Sequence, residues 1–383
     1  MPYYIERGEI PPKRHTQFRN PAGDLHFEEL LSRKGFSGEH TNMYHLRMPT
    51  RLAAVGRFME RQLQEAKGIP HRHRHLRTGK VNSSGGPIGS RQVLFYNDDV
   101  IISKAHPDET LNSFYRNGQA DELLYVQSGK GTLATNLGNI AFVPGDYVVI
   151  PRGVIWQMSF DEPTRFLIME TRGSIDVPDR YVSDRGQLLE HAPFCERDLK
   201  LPDFQAPIDE QGEYRLMVRL QGGIQEYIYA QHPFDLVGWA GQCYPWAFSI
   251  HDFEPITGRI HQPPPVHQTF QAAGLVICSF VPRLFDYHPQ SIPAPYYHSN
   301  VDSDEIIFYS RGEFMSRKGI EDESITYHPM GLPHGPQPGM YEGSIGKQET
   351  DELAVMIDTF APLKVAAAAM GIDDEHYPMS WSE

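Results

Sequence analysis

Residues 121–129 of this 383-residue chain read DELLYVQSG, and residues 304–312 read DEIIFYSRG. In both stretches a glutamate is followed by an apolar run typical of a strand, and a glycine stands seven positions after that glutamate. The two stretches lie 183 residues apart. Self-similarity at a fixed offset is the signature of a duplicated structural unit. The chain is therefore predicted to contain two copies of one β-rich unit.

The similarity between the two copies continues on both sides of these stretches. Upstream, residues 113–117 (SFYRN) align with residues 296–300 (YYHSN), and downstream, residues 150–153 (IPRG) align with residues 332–335 (LPHG). From about residue 92 onward, short β-rich segments alternate with Gly and Pro, as in β-sandwiches and barrels. The predicted fold is mainly β: a duplicated cupin, or jelly-roll β-barrel, with an N-terminal arm, a few peripheral helices and a C-terminal helix.

The repeat also suggests a division of the chain into three parts. Residues 1–90 are predicted to form an N-terminal arm and a helix. Residues 91–200 are predicted to form a first barrel without metal ligands. Residues 201–383 are predicted to form a second barrel that carries a metal site and ends in a helix.

Two segments show local features of helices. Thr50 is a suitable helix cap, and an apolar stripe that includes Leu52, Val55 and Phe58 predicts a helix to about Lys67. The Ala-rich residues 361–370 predict the C-terminal helix. Residues 1–46, at the start of the chain, are polar and interrupted by prolines, so an extended arm is expected there.

Composition excludes several classes of protein. With 40% hydrophobic and 22% charged residues, the chain is not a disordered, fibrous or coiled-coil protein. No apolar run approaches the roughly 20 residues that a membrane-spanning helix needs, so no membrane partner is expected. The three cysteines form no CxxC pair and fit a reducing compartment, which favours a cytoplasmic protein.

Charge is distributed unevenly along the chain. Residues 1–95 hold 16 Lys and Arg against 8 Asp and Glu, whereas the whole chain has a net charge of −14. The basic region lacks the sequence frame of a known nucleic-acid-binding module, so no nucleic-acid partner is expected. We expect it to dock on acidic surface of its own body or of a neighbouring subunit. Residues 71–75 read HRHRH, and because the arginines would repel a cation, a solvated or interface strand is favoured over a metal site.

The second copy places His298, Glu305 and His334 at three aligned positions. Two imidazoles and one carboxylate on one face of a barrel form the facial triad suited to non-haem Fe(II). Such a site leaves positions open for a substrate and O2. These three residues are the predicted metal ligands.

The first copy carries Tyr115, Glu122 and Arg152 at the same positions. The guanidinium of Arg152 would expel a cation, so this barrel is predicted to bind no metal. Only one copy therefore carries ligand chemistry, which would be unexpected if the positions were merely structural.

Other side chains are expected around the triad. Tyr296 lies two residues before His298, and His328 lies six residues before His334. His251, His261 and His267 lie in a Pro-rich segment, and a histidine there could accept a phenolic proton from a bound substrate. We favour His261 as this base and interpret His251 and His267 as structural.

These motifs resemble the homogentisate 1,2-dioxygenase family, whose members open an aromatic ring with Fe(II) and O2. The resemblance is carried by residues 234–239 (FDLVGW), 295–300 (PYYHSN) and 332–336 (LPHGP), and more weakly by residues 35–39 (GFSGE). It implies conversion of homogentisate to maleylacetoacetate in tyrosine and phenylalanine catabolism. It also implies a homo-oligomer, either a trimer or a hexamer built from trimers.

The resemblance also implies roles for individual residues. His298, Glu305 and His334 would hold Fe(II), and His261 would match the family's active-site base. The residues expected to contact the substrate are His328, Tyr296 and His334.

The chain departs from the family pattern at two places. The spacing from His298 to Glu305 is one residue longer than usual, so Asp304 competes as a ligand, although the Glu-to-Gly register shared by both copies favours Glu305. Phe314 stands where the family has a tyrosine. Two alternatives therefore stay open: cleavage of gentisate or another hydroquinone acid, and a metal-binding bicupin without oxygen chemistry.

Overall fold

A computed structural model describes residues 3–81, 83–312 and 314–382. The strands of the first half are β1 Ile5–Gly8, β2 Phe27–Ser32, β3 His40–His45, β4 Leu52–Glu60, β5 Arg74–Leu76, β6 Gln92–Tyr96, β7 Val100–Ala105, β8 Phe114–Asn117, β9 Asp121–Ser128, β10 Gly131–Thr135, β11 Gly138–Phe142, β12 Asp146–Ile150, β13 Trp156–Phe160 and β14 Arg165–Thr171. Those of the second half are β15 Leu199–Lys200, β16 Gln211–Leu220, β17 Gly223–Gln231, β18 Leu236–Gly241, β19 Trp246–Ser249, β20 Gln268–Ala272, β21 Leu275–Phe280, β22 Arg283–Leu284, β23 Asp304–Arg311, β24 Ile325–His328, β25 Glu349–Thr350, β26 Leu353–Thr359 and β27 Lys364–Val365.

Helices are few and short in the part of the chain that the structure describes. One α-helical turn, α1, spans Met340–Gly343. The 3₁₀ segments are Thr78–Lys80, Asp179–Tyr181, Glu196–Asp198, Ile250–Asp252, Pro264–His267, Ala367–Ile372 and Tyr377–Trp381. None of these described helices has the length and apolarity required to cross a membrane. The predicted mainly β architecture is confirmed.

Two large sheets form the first barrel. One has the strand order β15-β19-β12-β9-β14-β7-β6-β27, and the other has the order β11-β10-β13-β8-β16-β17-β4. Aromatic side chains from both sheets meet in the core, where the rings of Phe142 and Phe166 lie 5.7 Å apart. The first repeat strand, β9, is central in its sheet, and six of its eight residues are buried.

The second barrel is built on a six-stranded sheet with the order β20-β21-β26-β23-β24-β5 and on the two-stranded pair β22-β25. The second repeat strand, β23, lies between β26 and β24. Buried hydroxyl pairs link the two barrels: Tyr125 to Ser310 at 2.7 Å and Tyr147 to Ser279 at 2.8 Å. The division of the chain near residues 90 and 200 stays a prediction.

The N-terminal segment forms strands. Strands β1, β3 and β2 join β18 in a four-stranded sheet with the order β1-β18-β3-β2. The buried guanidinium of Arg33 pairs with Asp121, the first residue of β9, so basic residues of this segment dock on acidic residues of the same chain.

The helix predicted between Thr50 and Lys67 is wrong. Residues 52–60 form strand β4, which pairs with β17 at the edge of the seven-stranded sheet. Three of the apolar residues that suggested a buried stripe are exposed: Leu52 at 40%, Val55 at 67% and Phe58 at 51%. Cross-strand pairing, which a local pattern does not reveal, outweighs the helical spacing here.

The C-terminal helix predicted over residues 361–370 is present only in part, as a 3₁₀ helix over residues 367–372. The main-chain N–H groups of Ala366 and Ala367 donate to the carbonyl oxygens of Leu94 and Gln64, each at 2.8 Å. These long-range bonds replace the i→i−4 bonds of an α-helix, so the segment contains β27 followed by a 3₁₀ turn.

The HRHRH segment contributes the strand that was expected, but this strand is buried within the chain. Strand β5 pairs with β24. Arg74 is 1% exposed and forms an ion pair with Asp373. The buried guanidinium of Arg74 is tolerated in the interior because the carboxylate of Asp373 neutralises its charge.

His45 provides a pH-dependent link between the N-terminal sheet and the rest of the protein. Its Nδ1 lies 2.6 Å from Asp235 Oδ1, and its Nε2 lies 3.0 Å from Glu29 Oε2. Burial acts to lower the pKa of His45, but the hydrogen bonds with Asp235 and Glu29 outweigh it and raise the pKa to about 9.

Replacement of His45 by Gln should therefore destabilise the protein in a pH-dependent manner. Since the folded-state pKa exceeds the ordinary value of 6.5, the contribution of His45 is fully present below pH 6.5 and is lost as the pH rises towards 9. We expect a loss on the order of 3 kcal/mol at pH 6, shrinking with rising pH, in urea unfolding curves. The exposed His191→Gln is the control, and a pH-independent difference for His45→Gln would contradict this link.

Candidate metal centre

Main-chain pairing brings two predicted ligands together. The N–H of His298 donates to the carbonyl oxygen of His334, and the N–H of His334 donates to that of His298, both at 2.9 Å. This isolated antiparallel bridge places the two imidazole centroids 4.3 Å apart. Two hydrogen bonds thus bring together two histidines that are 36 residues apart in the sequence.

Strand geometry selects Glu305 over Asp304 as the third member of the cluster. Neighbouring residues on a strand face opposite sides, and only Glu305 faces the two histidines. The carboxylate of Asp304 accepts hydrogen bonds from the N–H groups of Met330 and Leu363, each at 2.7 Å, and from the hydroxyl of Tyr327 at 3.0 Å. Its oxygens are therefore occupied within the protein scaffold.

His298, Glu305 and His334 offer one ligand atom each, and these atoms lie within 4.8 Å of one another. Nε2 of His334 lies 3.3 Å from Glu305 Oε1, and Nε2 of His298 lies 3.7 Å from Glu305 Oε2. Nε2 of His334 is buried and makes no aligned hydrogen bond. An orphaned imidazole nitrogen beside a carboxylate and a second imidazole fits a divalent transition metal.

The Glu305 carboxylate is an anion in this setting. Burial acts to raise its pKa, but the neighbouring imidazoles of His298, His328 and His334 outweigh burial and hold the pKa well below its usual value. A deprotonated carboxylate is the form that binds a metal.

His328 was expected to contact substrate, but the structure places it behind Glu305. Its Nδ1 lies 2.7 Å from Glu305 Oε1, and its ring stacks on His334 with centroids 4.4 Å apart at 12°. The side chain is completely buried, and burial lowers its pKa to about 3. A neutral imidazole in this position donates from Nδ1 and orients the carboxylate.

Two further residues beside the triad were not identified from the sequence. His73 packs its ring 6.0 Å from His334 and 5.4 Å from His328, and its Nε2 lies 3.2 Å from the carbonyl oxygen of Pro333. Asp358 pairs across the sheet with Glu305, and burial raises its pKa to about 8 with a contribution from the Glu305 charge. Glu170 has the same cross-strand relation to Glu122, but it lies 188 residues before Asp358 and not 183, so the offset of the repeat alone does not reveal Asp358.

The triad opens into a cavity of about 410 Å³. The walls combine aromatic and aliphatic groups with a few polar side chains, as in small-molecule sites. Its apolar lining includes Ile307, Met356, Phe280, Phe285, Phe314 and Tyr296.

The predicted base His261 lies in the wall of this cavity. Its side chain is 50% exposed, its Nδ1 lies 3.5 Å from Asp286 Oδ2, and its ring lies 5.2 Å from that of Tyr296. Tyr296 in turn lies 6.1 Å from the His298 ring, so its ring is a neighbour of both His261 and the triad. His267, interpreted as structural, also lines the cavity, whereas His251 is exposed and does not line it.

In the first barrel, an arginine occupies the corresponding place. The Arg91 guanidinium lies 2.5 Å from Glu122 Oε1 and 3.0 Å from Glu170 Oε1, and all three side chains are buried. The expectation that Arg152 would exclude the cation is wrong, because Arg152 is partly exposed and pairs with Asp121. Arg91 supplies the positive charge that a metal would supply in the second barrel.

Comparisons with known proteins agree on one family. The sequence model described as "Homogentisate 1,2-dioxygenase N-terminal" matches residues 100–250. A protein of Saccharolobus solfataricus named "Putative dioxygenase SSO1533" is 45% identical over 100% of this chain and 99% of its own length. Homogentisate 1,2-dioxygenase of Rhodopseudomonas palustris is 26% identical, covering 96% of this chain and 89% of that protein. The Sinorhizobium medicae enzyme of the same name is 24% identical over 100% and 90%.

Solved structures similar to this chain include a cupin 2 conserved barrel domain protein from Leptotrichia buccalis. It has a TM-score of 0.35 and 9% identity, and the match covers 77% of this chain and 100% of that protein. The fold assignment rests on the sheets described above.

Replacement of Arg91 by Met should destabilise the first barrel by about 3–5 kcal/mol, because it leaves Glu122 and Glu170 buried without a cation. Chemical denaturation would measure this loss. The control is Lys130→Met, which removes an exposed ion pair with Glu162 and should leave stability nearly unchanged. An equally small loss for Arg91→Met would contradict the assigned role.

Replacement of His328 by Phe should weaken metal binding about 10- to 100-fold, because it keeps a stacked ring but removes the hydrogen bond to Glu305. Metal affinity can be measured anaerobically by competition with a chelator. The matched variant His73→Phe should lose much less metal affinity, since the Nε2 of His73 contacts the Pro333 carbonyl oxygen and not a metal ligand. Equal affinities of the two variants would exclude a special role for His328.

Proposed function

The chain belongs to the homogentisate dioxygenase family, and from this premise we propose that it opens the ring of homogentisate with Fe(II) and O2 to give maleylacetoacetate. The observation that carries the proposal is the His298–Glu305–His334 cluster at the base of an aromatic-lined cavity. Two imidazoles and one carboxylate are the ligand set of non-haem Fe(II) oxygenases.

The three cluster residues would hold Fe(II), which when bound supplies the activation of O2. His328 keeps the Glu305 carboxylate oriented through its hydrogen bond. Apolar side chains such as Phe280, Phe285 and Phe314 exclude water and orient the substrate ring by contact with its faces and edges.

Proton transfer is the role proposed for His261. Asp286, 3.5 Å from His261 Nδ1, orients the imidazole, which leaves Nε2 to accept a phenolic proton from the substrate. Because the His261 side chain is half exposed, the proton can pass on to solvent. Tyr296, a neighbour of both His261 and His298, is proposed to position the ring.

A second candidate substrate is gentisate, and Phe314 is the residue that supports this alternative. Phenylalanine has no hydrogen-bond donor at a position where the family has a tyrosine. The two acids differ in the distance between ring and carboxylate, so their relative turnover distinguishes the candidates.

A homo-oligomer, trimer or hexamer, is also proposed. Exposed Leu52, Val55 and Phe58 on the edge strand β4 support it, because apolar side chains clustered on an edge favour contact with another chain. Sedimentation of the purified protein would measure the assembly.

Fe(II)-loaded protein given homogentisate should consume one O2 per product formed, followed with an oxygen electrode and by ultraviolet absorbance. His334→Ala should abolish both iron content and uptake, because it removes one of three ligands, while the protein stays folded. His251→Ala, an exposed histidine outside the cavity, should retain both. Oxygen uptake with gentisate but not with homogentisate would show that gentisate is the substrate. An active, iron-loaded His334→Ala variant would contradict the assignment of the metal ligands.

A further inference from the structure

Among the arginines that the structure describes, five have nearly buried side chains, and four of them have a carboxylate within 4 Å. Arg33 pairs with Asp121, Arg74 with Asp373, Arg91 with Glu122, and Arg219 with Glu170. Arg317 is the fifth. It is 8% exposed and has no ion-pair partner among the described residues. A buried charge without a counter-ion is costly, so a protein rarely keeps one without a use for it.

The contacts of Arg317 leave part of its guanidinium unsatisfied. Nη1 donates to the main-chain carbonyl oxygens of Gly335 at 2.6 Å and Ser316 at 3.2 Å. The guanidinium lies 5.6 Å from the centroid of the Trp381 ring. Nε is buried without a hydrogen-bond partner. Within the described part of the chain, neutral acceptors and an aromatic face thus hold the group in place without neutralising its charge.

Arg317 belongs to the wall of the cavity that holds the metal cluster. Its hydrogen-bond partner Gly335 directly follows the ligand His334 in the chain, so the guanidinium is close to the ligand set. Burial acts to lower the pKa of Arg317, but the facing hydroxyls of Tyr377 and Tyr309 and the charge of Glu305 raise it overall. Arg317 is therefore a permanent cation. A bound metal would interact with the Glu305 carboxylate, which would then no longer compensate the charge of Arg317.

Phe314 lines the same cavity as Arg317. Its ring packs edge-on against Tyr309 at 4.3 Å and offers no donor to a bound acid. Arg317 follows three residues later on the same cavity wall. A guanidinium binds a carboxylate through two parallel hydrogen bonds, a geometry that lysine and neutral donors do not reproduce.

Arg283 is the other arginine in the cavity wall and is a weaker candidate. Its guanidinium lies 6.0 and 5.7 Å from the rings of Phe280 and Phe285. The charges of Glu352 and Asp286 act on it, so it already has acidic neighbours. Two acids act on Arg283, whereas Glu305 is the one acid among the described residues that acts on Arg317, so a bound anion would meet more repulsion at Arg283.

We propose that Arg317 binds the carboxylate of the aromatic substrate and makes the site selective for acids over neutral hydroquinones. This inference rests on the proposed function and deepens it, since it assigns the residue that recognises the acid. It makes Arg317 a specificity residue of the cavity.

The first test compares homogentisate with its uncharged methyl ester on the Fe(II)-loaded wild-type protein. The acid should be preferred about 10- to 100-fold in kcat/KM, as expected for a hydrogen bond to a charged group. Arg317→Met should remove that preference mainly by raising KM for the acid. Arg317→Lys should restore part of it, and the matched variant Arg283→Met should keep it. Loss of selectivity in Arg283→Met but not in Arg317→Met would overturn the proposal.

The second test measures binding without turnover. Calorimetric titration of metal-free wild-type protein and Arg317→Lys with phenylacetate should show binding weakened about tenfold by the substitution. Binding that depends on Arg317, without oxygen uptake on any dihydroxy acid, would support the anchor and reject the proposed reaction. Oxygen uptake with equal kcat/KM for acid and ester in the wild type would support the reaction and reject the anchor. Should Arg317→Met fail to fold, the wild-type and Lys comparisons still decide.

Discussion

A carboxylate buried in a barrel wall must be compensated, and Glu305 imposes this constraint on the second barrel. Three imidazoles surround it, from His298, His328 and His334, and each reaches it from a different part of the chain. Strand pairing between β23 and β24 sets the first contact, with His328 directly opposite Glu305. Main-chain bonds between His298 and His334 set the other two. The metal cluster is thus a product of sheet register as much as of ligand chemistry.

Both barrels contain a pair of acids, and the charge of this pair is compensated differently in each. Each carries a pair of acids facing one another across adjacent strands, Glu122 with Glu170 and Glu305 with Asp358. In the first barrel the guanidinium of Arg91 lies between the acids and closes the interior. In the second, no described arginine or lysine pairs with the acids, and imidazoles and an open cavity take that place. A buried arginine in the first barrel, and two histidines beside an open cavity in the second, separate a structural barrel from a barrel suited to a metal.

Much of this could be predicted from the sequence. The repeat at an offset of 183 residues located the two barrels and the aligned triad, because a duplicated fold keeps its key positions in register. The Glu-to-Gly register also favoured Glu305 over Asp304, and the alternation of β23 supplies the physical reason. Local patterns were less reliable. The apolar spacing from Leu52 to Phe58 suggested a helix, but pairing with β17 made the segment an edge strand.

By itself, the sequence determined the mainly β class, the duplication and the family, together with a candidate set of three ligands. These properties are carried by short motifs whose spacing is fixed by strand periodicity. Only the tertiary structure decided that His328 supports Glu305 from behind, that Arg91 rather than Arg152 fills the first barrel, and that Arg317 has no carboxylate partner among the described residues. Those facts depend on which distant segments share a buried volume, because the cost of a buried charge is set by its neighbours in space and not in the chain.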